Sequence, residues 1–202
     1  MKSRIAVAHS LLAAGLLVSV AASCALENET AAPSAAHRGF DPGRLNPNAP
    51  PETALLGQLV GLWDIEQVVR NPDGSWGEPK QAEWHWYYVL DGHAIQDDWI
   101  QPPLSAGENA KRSFGTNLRV YNPETEQWAM AWIDSANRKL ASFTAVNEHG
   151  TILMTGNNVA GRPIQNRFFE MKPDSFEWVQ EWSFDEGATW VPVTRIHATR
   201  RK

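Results

Sequence analysis

Turn signals recur along this chain at short intervals, and they constrain the fold more than any other feature of the sequence. Nine stand between Asn71 and Gly187: Asn71-Pro72-Asp73-Gly74, Asp91-Gly92, Pro102 to Asn109, Asn122-Pro123-Glu124, Ser135-Ala136-Asn137, Asn147-Glu148-His149-Gly150, Asn157 to Pro163, Lys172-Pro173-Asp174 and Asp185-Glu186-Gly187. Each offers a residue that tolerates positive φ, or a proline that presets a turn. The runs between them are rich in Trp, Val, Ile, Phe and Thr. They fall near 62–70, 81–90, 93–101, 113–121, 127–134, 139–146, 151–156, 164–171, 176–184 and 189–199. Short strands with tight connections argue for an antiparallel barrel or a sandwich. No stretch of this region carries the 3.6-residue period that βαβ units need. No fixed-period repeat points to a propeller. One short helix is expected before the first strand, at Glu52 to Val60.

The Leu90-Asp91-Gly92-His93 hairpin carries the strongest local signal, because Asp-Gly suits a two-residue type I′ turn. That turn sets a register in which Trp84 faces Trp99, Trp86 faces Asp97 and Tyr88 faces Ile95 on one side of the sheet. His85 with Asp98, Tyr87 with Gln96 and Val89 with Ala94 share the other side. By the same alternation Trp128, Met130, Trp132 and Asp134 share a face, as do Trp178, Gln180, Trp182 and Phe184.

Gly61-Leu62-Trp63, at the head of the first strand, resembles the Gly-x-Trp motif of lipocalins and related calycins. Tyr88-Val89-Leu90-Asp91-Gly92, Tyr121-Asn122-Pro123 and Trp132-Ile133-Asp134-Ser135 follow in an order similar to a family of small bacterial lipocalin-like domains, most without an assigned function. The resemblance spans about residues 55–199. It implies an all-β fold: an antiparallel up-and-down β-barrel of about ten strands with a short N-terminal helix and an internal cavity, one end closed by the Trp. It brings no catalytic residues with it. Ten strands fit the fatty-acid-binder and nitrobindin-like branch better than an eight-strand lipocalin. In nitrobindin-like barrels a histidine near the C-terminus ligates haem iron, and Ile196-His197-Ala198 has a likeness to that segment. Haem with His197 as axial ligand is therefore the alternative to a barrel without a cofactor. The first strand departs from the nitrobindin pattern after its Trp, reading Asp64-Ile65-Glu66-Gln67.

Lys2 and Arg4 precede an apolar run from Ile5 to Ala22, and small residues follow at Ala21-Ala22-Ser23. This three-part pattern is that of a secretory signal peptide over residues 1–23. Val20-Ala21-Ala22-Ser23-Cys24 resembles a bacterial lipobox, with Ala21 where Leu is usual. Cys24 is the chain's single cysteine and would become a lipidated terminus, anchoring an exported protein to the membrane of the bacterial periplasm. Ordinary cleavage nearby would release it as a soluble periplasmic protein. Residues 24–52, rich in Ala, Pro, Ser and Asn, read as anchor and extended spacer, which leaves 53–202 for the barrel domain. Loss of residues 1–23 removes two cations and moves the net charge from −5 to −7. An anionic lipid surface would not attract such a protein, so a tether would have to hold it there. The acidic balance also lacks the basic footprint of a nucleic-acid binder. One cysteine excludes a disulfide framework and a multi-thiolate metal site.

Candidate site residues follow from composition: Trp is the commonest aromatic, at ten against three Tyr and seven Phe. Trp86, Trp99, Trp132 and Trp182 are the expected pocket walls for a small hydrophobic or aromatic ligand, with core filling as the plainer role for any one of them. Arg119, Arg167 and Arg195 sit mid-strand. One of them inside the barrel would favour a carboxylate or phosphate head group; outside, it would pair with Glu170, Glu177 or Glu181. Arg119, Arg195 and His197 join the four Trp as candidate ligand-binding residues. His85 opposite Asp98 reads as an oriented base or as a surface ion pair. An enzyme using His85 or His197 with Asp98 or Asp134 is the competing reading, and a structural envelope protein with a solid barrel is a third. No two histidines have zinc-ligand spacing within a strand. No Gly-rich phosphate loop or Gly-x-Ser-x-Gly elbow is present.

Overall fold

Period-two burial governs the architecture. A computed structural model describes residues 40–202. After a short helix, α1 (Thr53–Gly57), it forms β1 (Gly61–Val69), β2 (Lys80–Val89), β3 (Ala94–Gln101), β4 (Ser113–Asn122), β5 (Gln127–Asp134), β6 (Leu140–Glu148), β7 (Thr151–Asn157), β8 (Pro163–Phe169), β9 (Ser175–Trp182) and β10 (Val191–Arg200). Each strand pairs antiparallel with its neighbours in sequence, and β1 pairs with β10, so the sheet closes as a ten-strand barrel. This lipocalin-like closure excludes a sandwich and leaves none of these strands with an open edge. Strand limits lie within two residues of those expected from the turns.

The β2–β3 hairpin has the register that Asp91-Gly92 implies: Trp84 opposite Trp99, Trp86 opposite Asp97 and Tyr88 opposite Ile95. Asp91 and Gly92 both take positive φ (53° and 79°), and the His93 N–H donates to the Leu90 carbonyl at 3.1 Å. Gly92 is required twice over. A Cβ there would also overlap the backbone of Arg44 and Asn46, which lies across the turn.

That crossing corrects the expected spacer. Residues 42–46 bind the hairpin: Tyr88 N–H donates to the Pro42 carbonyl at 2.8 Å, and Asn46 Nδ2 donates to the Asp91 carbonyl at 2.9 Å. The compact unit therefore begins at Phe40 and not at Thr53. Its prolines and asparagines follow the barrel surface, so a lack of helical or strand period is no mark of a free linker here. α1 is shorter than expected because the chain must drop both Leu56 and Leu59 into the barrel end before it enters β1. Both are fully buried.

That end is sealed by Trp63, in the manner the Gly-x-Trp resemblance implies. Its ring is fully buried and meets Phe176 edge-on at 4.7 Å, and its indole N–H donates to the Leu59 carbonyl at 2.7 Å. Arg200, at the end of β10, lies over the same ring at 4.1 Å and donates to the carbonyls of Val60 and Gln58, both at 2.7 Å. One cation thus links the helix exit, the start of β1 and the end of β10.

The outer face of β2 carries a buried carboxylate. Glu83 accepts the Leu104 N–H at 2.7 Å, meets His85 Nε2 at 2.9 Å and receives Arg201 Nη1 at 3.4 Å. It pins the β3–β4 connection and the C-terminal segment to the barrel wall. Burial alone would raise its pKa, but the bonds from His85, Leu104 N–H and Arg201 outweigh that and hold it below the ordinary 4.5. The stabilisation is therefore complete above pH 4.5 and is lost as pH falls through the lower folded-state value. Glu83→Gln should cost about 2 kcal/mol at pH 7 and flatten the acid limb of a urea-midpoint profile. An unchanged acid limb would contradict the assignment.

Candidate ligand-binding site

The barrel is solid at the Trp63 end and hollow at the other. A cavity of about 440 Å³ lies among inward side chains of all ten strands, Gln67 of β1 included, with Asn137 and Asn158 from the β5–β6 and β7–β8 connections at its mouth. Its walls combine aromatic rings (Trp84, Trp99, Trp132, Trp178, Trp182, Phe143 and Phe168) with aliphatic and polar side chains. Trp84 is the hub. Its ring lies 5.1 Å from Trp86, 5.3 Å from Trp99, 5.7 Å from Phe168 and 6.2 Å from Trp178.

Strand periodicity also fixes these rings. Residues two apart share a face, so an indole N–H can reach a polar neighbour on its own strand. Trp132 donates to Asp134 at 3.0 Å, and Trp182 donates to Gln180 at 3.2 Å. Trp84 donates across the hairpin to Asp97 Oδ1 at 2.6 Å. The walls are consequently pre-set, which lowers the ordering cost of binding.

Arg119 and Asp97 form an ion pair with essentially no exposure of either residue, Arg119 Nη1 to Asp97 Oδ2. The guanidinium lies over the Trp86 ring at 4.2 Å. Burial pushes its pKa down to about 9, which still leaves it cationic at neutral pH. Arg119 Nε has no hydrogen-bond partner among the described residues, and neither do the side-chain oxygens of Asn117 and Asn166. All three residues line the cavity. At the mouth, burial would raise the Asp134 carboxyl, but bonds from Asn137, Trp132 and the Ala136 N–H hold it below its ordinary value.

No family model matches the chain, and no curated protein matches it in sequence. Among solved structures it is similar to the S-type phycobiliprotein lyase CPES from Guillardia theta, with a TM-score of 0.50 and 14% identity over 74% of this chain and 92% of that one. The likeness is one of fold. It agrees with a closed antiparallel barrel of the lipocalin type.

Of the residues expected at the site, Trp99, Trp132, Trp182 and Arg119 are brought together around the cavity. Trp86 is fully buried beside them but packs beneath Arg119 rather than on the lumen surface. Arg195 and His197 require correction, because both are on the outer face. Arg195 lies over Trp76 at 4.4 Å, and His197 Nδ1 meets Glu177 at 2.6 Å. The inward positions of β10 are Thr194, Ile196 and Ala198, all buried. An axial histidine at His197 thus has no access to the lumen. Arg167 pairs outside with Glu181 at 2.8 Å. His85 lies opposite Asp98 in register, yet its ring turns to Glu83, while Asp98 accepts the Tyr87 hydroxyl at 2.8 Å. No histidine among the described residues lines the cavity, so neither His85 nor His197 of the acid–base alternative stands in it. Cys24 and residues 1–23 lie outside the described residues.

Sequence reasoning missed Trp84, Trp178, Asn117 and Asn166. Trp84 and Asn117 stand two residues from Trp86 and Arg119, and Trp178 stands four from Trp182. Period two places each on the face already chosen, so that signal was available. Asn166 lies between the apolar Ile164 and Phe168, a weaker signal of the same kind.

Gly115 makes room for this wall. It pairs with Trp99 and Asp134 across the sheet, and a Cβ on it would overlap the Trp132 ring. Gly115→Ala should displace that ring and cost about 1–3 kcal/mol. A shifted tryptophan emission spectrum and a lower melting temperature would register the change. An unaltered spectrum would show that the ring does not depend on this glycine.

Proposed function

We propose that this barrel binds a small hydrophobic or aromatic molecule in its lumen. The observation that carries the reading is a tryptophan-walled cavity of about 440 Å³. The volume is in the range of small-molecule pockets. A bicyclic aromatic burying about 250 Å² would gain roughly 6 kcal/mol at 25 cal/mol per Å², before ordering costs. That corresponds to micromolar or weaker binding.

The neutral probe N-phenyl-1-naphthylamine, which fluoresces when shielded from water, tests the reading. Enhanced emission with saturable, micromolar binding is expected. Ala141, on the cavity wall and 6% exposed, offers the control: Ala141→Phe fills the lumen and should weaken binding at least about tenfold while the fold persists. Binding that ignores this substitution would place the probe elsewhere.

The same proposal sets the barrel outside the cytoplasm, in the bacterial periplasm and tethered by lipid at Cys24. Its support is the charged start, apolar run and small residues of residues 1–23. Cys24→Ala should move the protein from the membrane fraction to the soluble periplasmic fraction. Equal membrane association of the variant would remove the lipid anchor from the account.

A further inference from the structure

We infer that the outer face of β4, β5, β6 and β7 is the contact surface of an antiparallel two-fold dimer, its occupant a second copy of this chain.

Alternation leaves this face with an unusual composition. Five of the eleven exposed large apolar side chains among the described residues stand on it: Phe114, Leu118, Val120, Ile133 and Leu140. They are contiguous across the sheet, since Leu118 lies opposite Ala131 and Ile133 lies opposite Leu140. The other outward positions of the four strands hold Ala, Ser, Thr, Val, Leu, Asn or Gln, and the first charge met is Glu148, at the last position of β6. Each of the remaining six strands carries at least one charged outward side chain, Asp64, Glu83, Asp98, Arg167, Glu181 and Arg195 among them. A contiguous apolar surface of this kind on a folded domain marks an interaction site.

The closed ring offers no edge for strand addition, so association must go through a face. A two-fold interface sets a patch against its own copy, and an uncharged patch meets no like charge there. The faces that carry Asp64 or Glu181 would repel themselves in a chain of net charge −5. A lipid surface suits the composition less well. Faces that lie in a bilayer interface are rich in Trp and in Lys or Arg, and this one has none of them, although the chain has ten Trp.

Charge at the two ends of the face sets the orientation. Glu124, Glu126 and Glu148 border it at the Trp63 end, and Arg138 and Lys139 border it at the cavity mouth. All five are exposed, and none forms an ion pair with another described residue. With the barrels antiparallel, the glutamates of each copy face the cations of the other. Parallel barrels would set like against like. Four strands about 4.8 Å apart and about 27 Å long give roughly 500 Å² per copy, or about 1,000 Å² for the pair, before the turns are added. That is the low end for a specific interface, and it describes a weak, exchanging dimer.

Sedimentation velocity of the full chain at neutral pH and low salt, from about 1 to 500 µM, tests this. A sedimentation coefficient that rises from monomer to dimer is expected, with a dissociation constant of about 10–100 µM. Ala131→Arg, at the centre of the face, should raise that constant at least about tenfold and leave the far-ultraviolet circular dichroism unchanged. Arg138→Glu with Lys139→Glu should also weaken the dimer. Adding Glu124→Lys and Glu126→Lys to that variant should restore it, a rescue that misfolding cannot produce. A monomer at every concentration overturns the inference, and so does association that Ala131→Arg leaves intact. Flotation of the monomer with phosphatidylcholine vesicles, lost in Ala131→Arg, would overturn it in favour of a lipid surface.

Discussion

Closure of β1 on β10 is the constraint on which the rest depends. In an open sheet one hairpin can slip by a residue and adjust at a free edge. In a closed ring a slip in any pair turns that strand inside out or breaks the seam. Every strand is thereby committed to one inward set, and polar residues within those sets are enclosed together with the apolar ones. Asp97, Asn117, Arg119 and Asn166 are buried for this reason. They occupy inward positions in a ring that cannot rotate them out.

Enclosure makes Asp97 the central side chain of the buried polar cluster behind the cavity wall. One carboxylate fixes the Trp84 indole at the hub of the aromatic cluster and neutralises an arginine that itself stacks on Trp86. A buried ion pair of this kind is weak evidence for added stability, because desolvation offsets most of the attraction. Hydrophobic residues of similar volume would fill the same space at less cost. What the pair supplies is position: it holds two tryptophans and a guanidinium in one arrangement without leaving a net charge behind. The barrel core therefore divides by chemistry. The Trp63 end is apolar and tightly filled, and the polar groups lie where the interior is hollow.

The architecture was legible because turns and alternation are local signals. Asp91-Gly92 alone gave the register of β2 on β3, and the spacing of the remaining turns gave ten strands. The direction of each face was less legible. On β10 the alternation of Thr194, Ile196 and Ala198 with Arg195 and His197 pointed the basic residues outward, but the head-group chemistry of an arginine and the likeness to a haem-ligating histidine kept Arg195 and His197 among the candidates. The state of the interior polar atoms was not legible at all. Whether Asn117 is satisfied depends on β3 and β5 beside it, and whether Arg119 is free depends on Asp97 across one strand pair. Such facts are created by closure, and no single strand contains them. The segment before α1 was misjudged for a related reason, since its anchoring to Asp91 and Gly92 joins residues 45 positions apart.

The two ends of the barrel differ in how they could respond to a ligand. At the Trp63 end, Leu56, Leu59, Trp63 and Phe176 are fully buried, and Arg200 clamps strand ends to the helix exit. Opening it would expose a large apolar surface and separate a cation from its ring, so passage there is energetically remote. At the mouth, Asp134 orders the β5–β6 turn through Asn137 and the Ala136 N–H, and Arg162 lies over Trp182 and the largely exposed Phe184. These contacts lie at or near the surface, where individual bonds are worth least and are readily exchanged for water. Entry from this side needs only local rearrangement of turns and rim side chains. The ring behind them, tied strand to strand without an edge, keeps the tryptophan walls and the Arg119–Asp97 pair in place while the mouth yields.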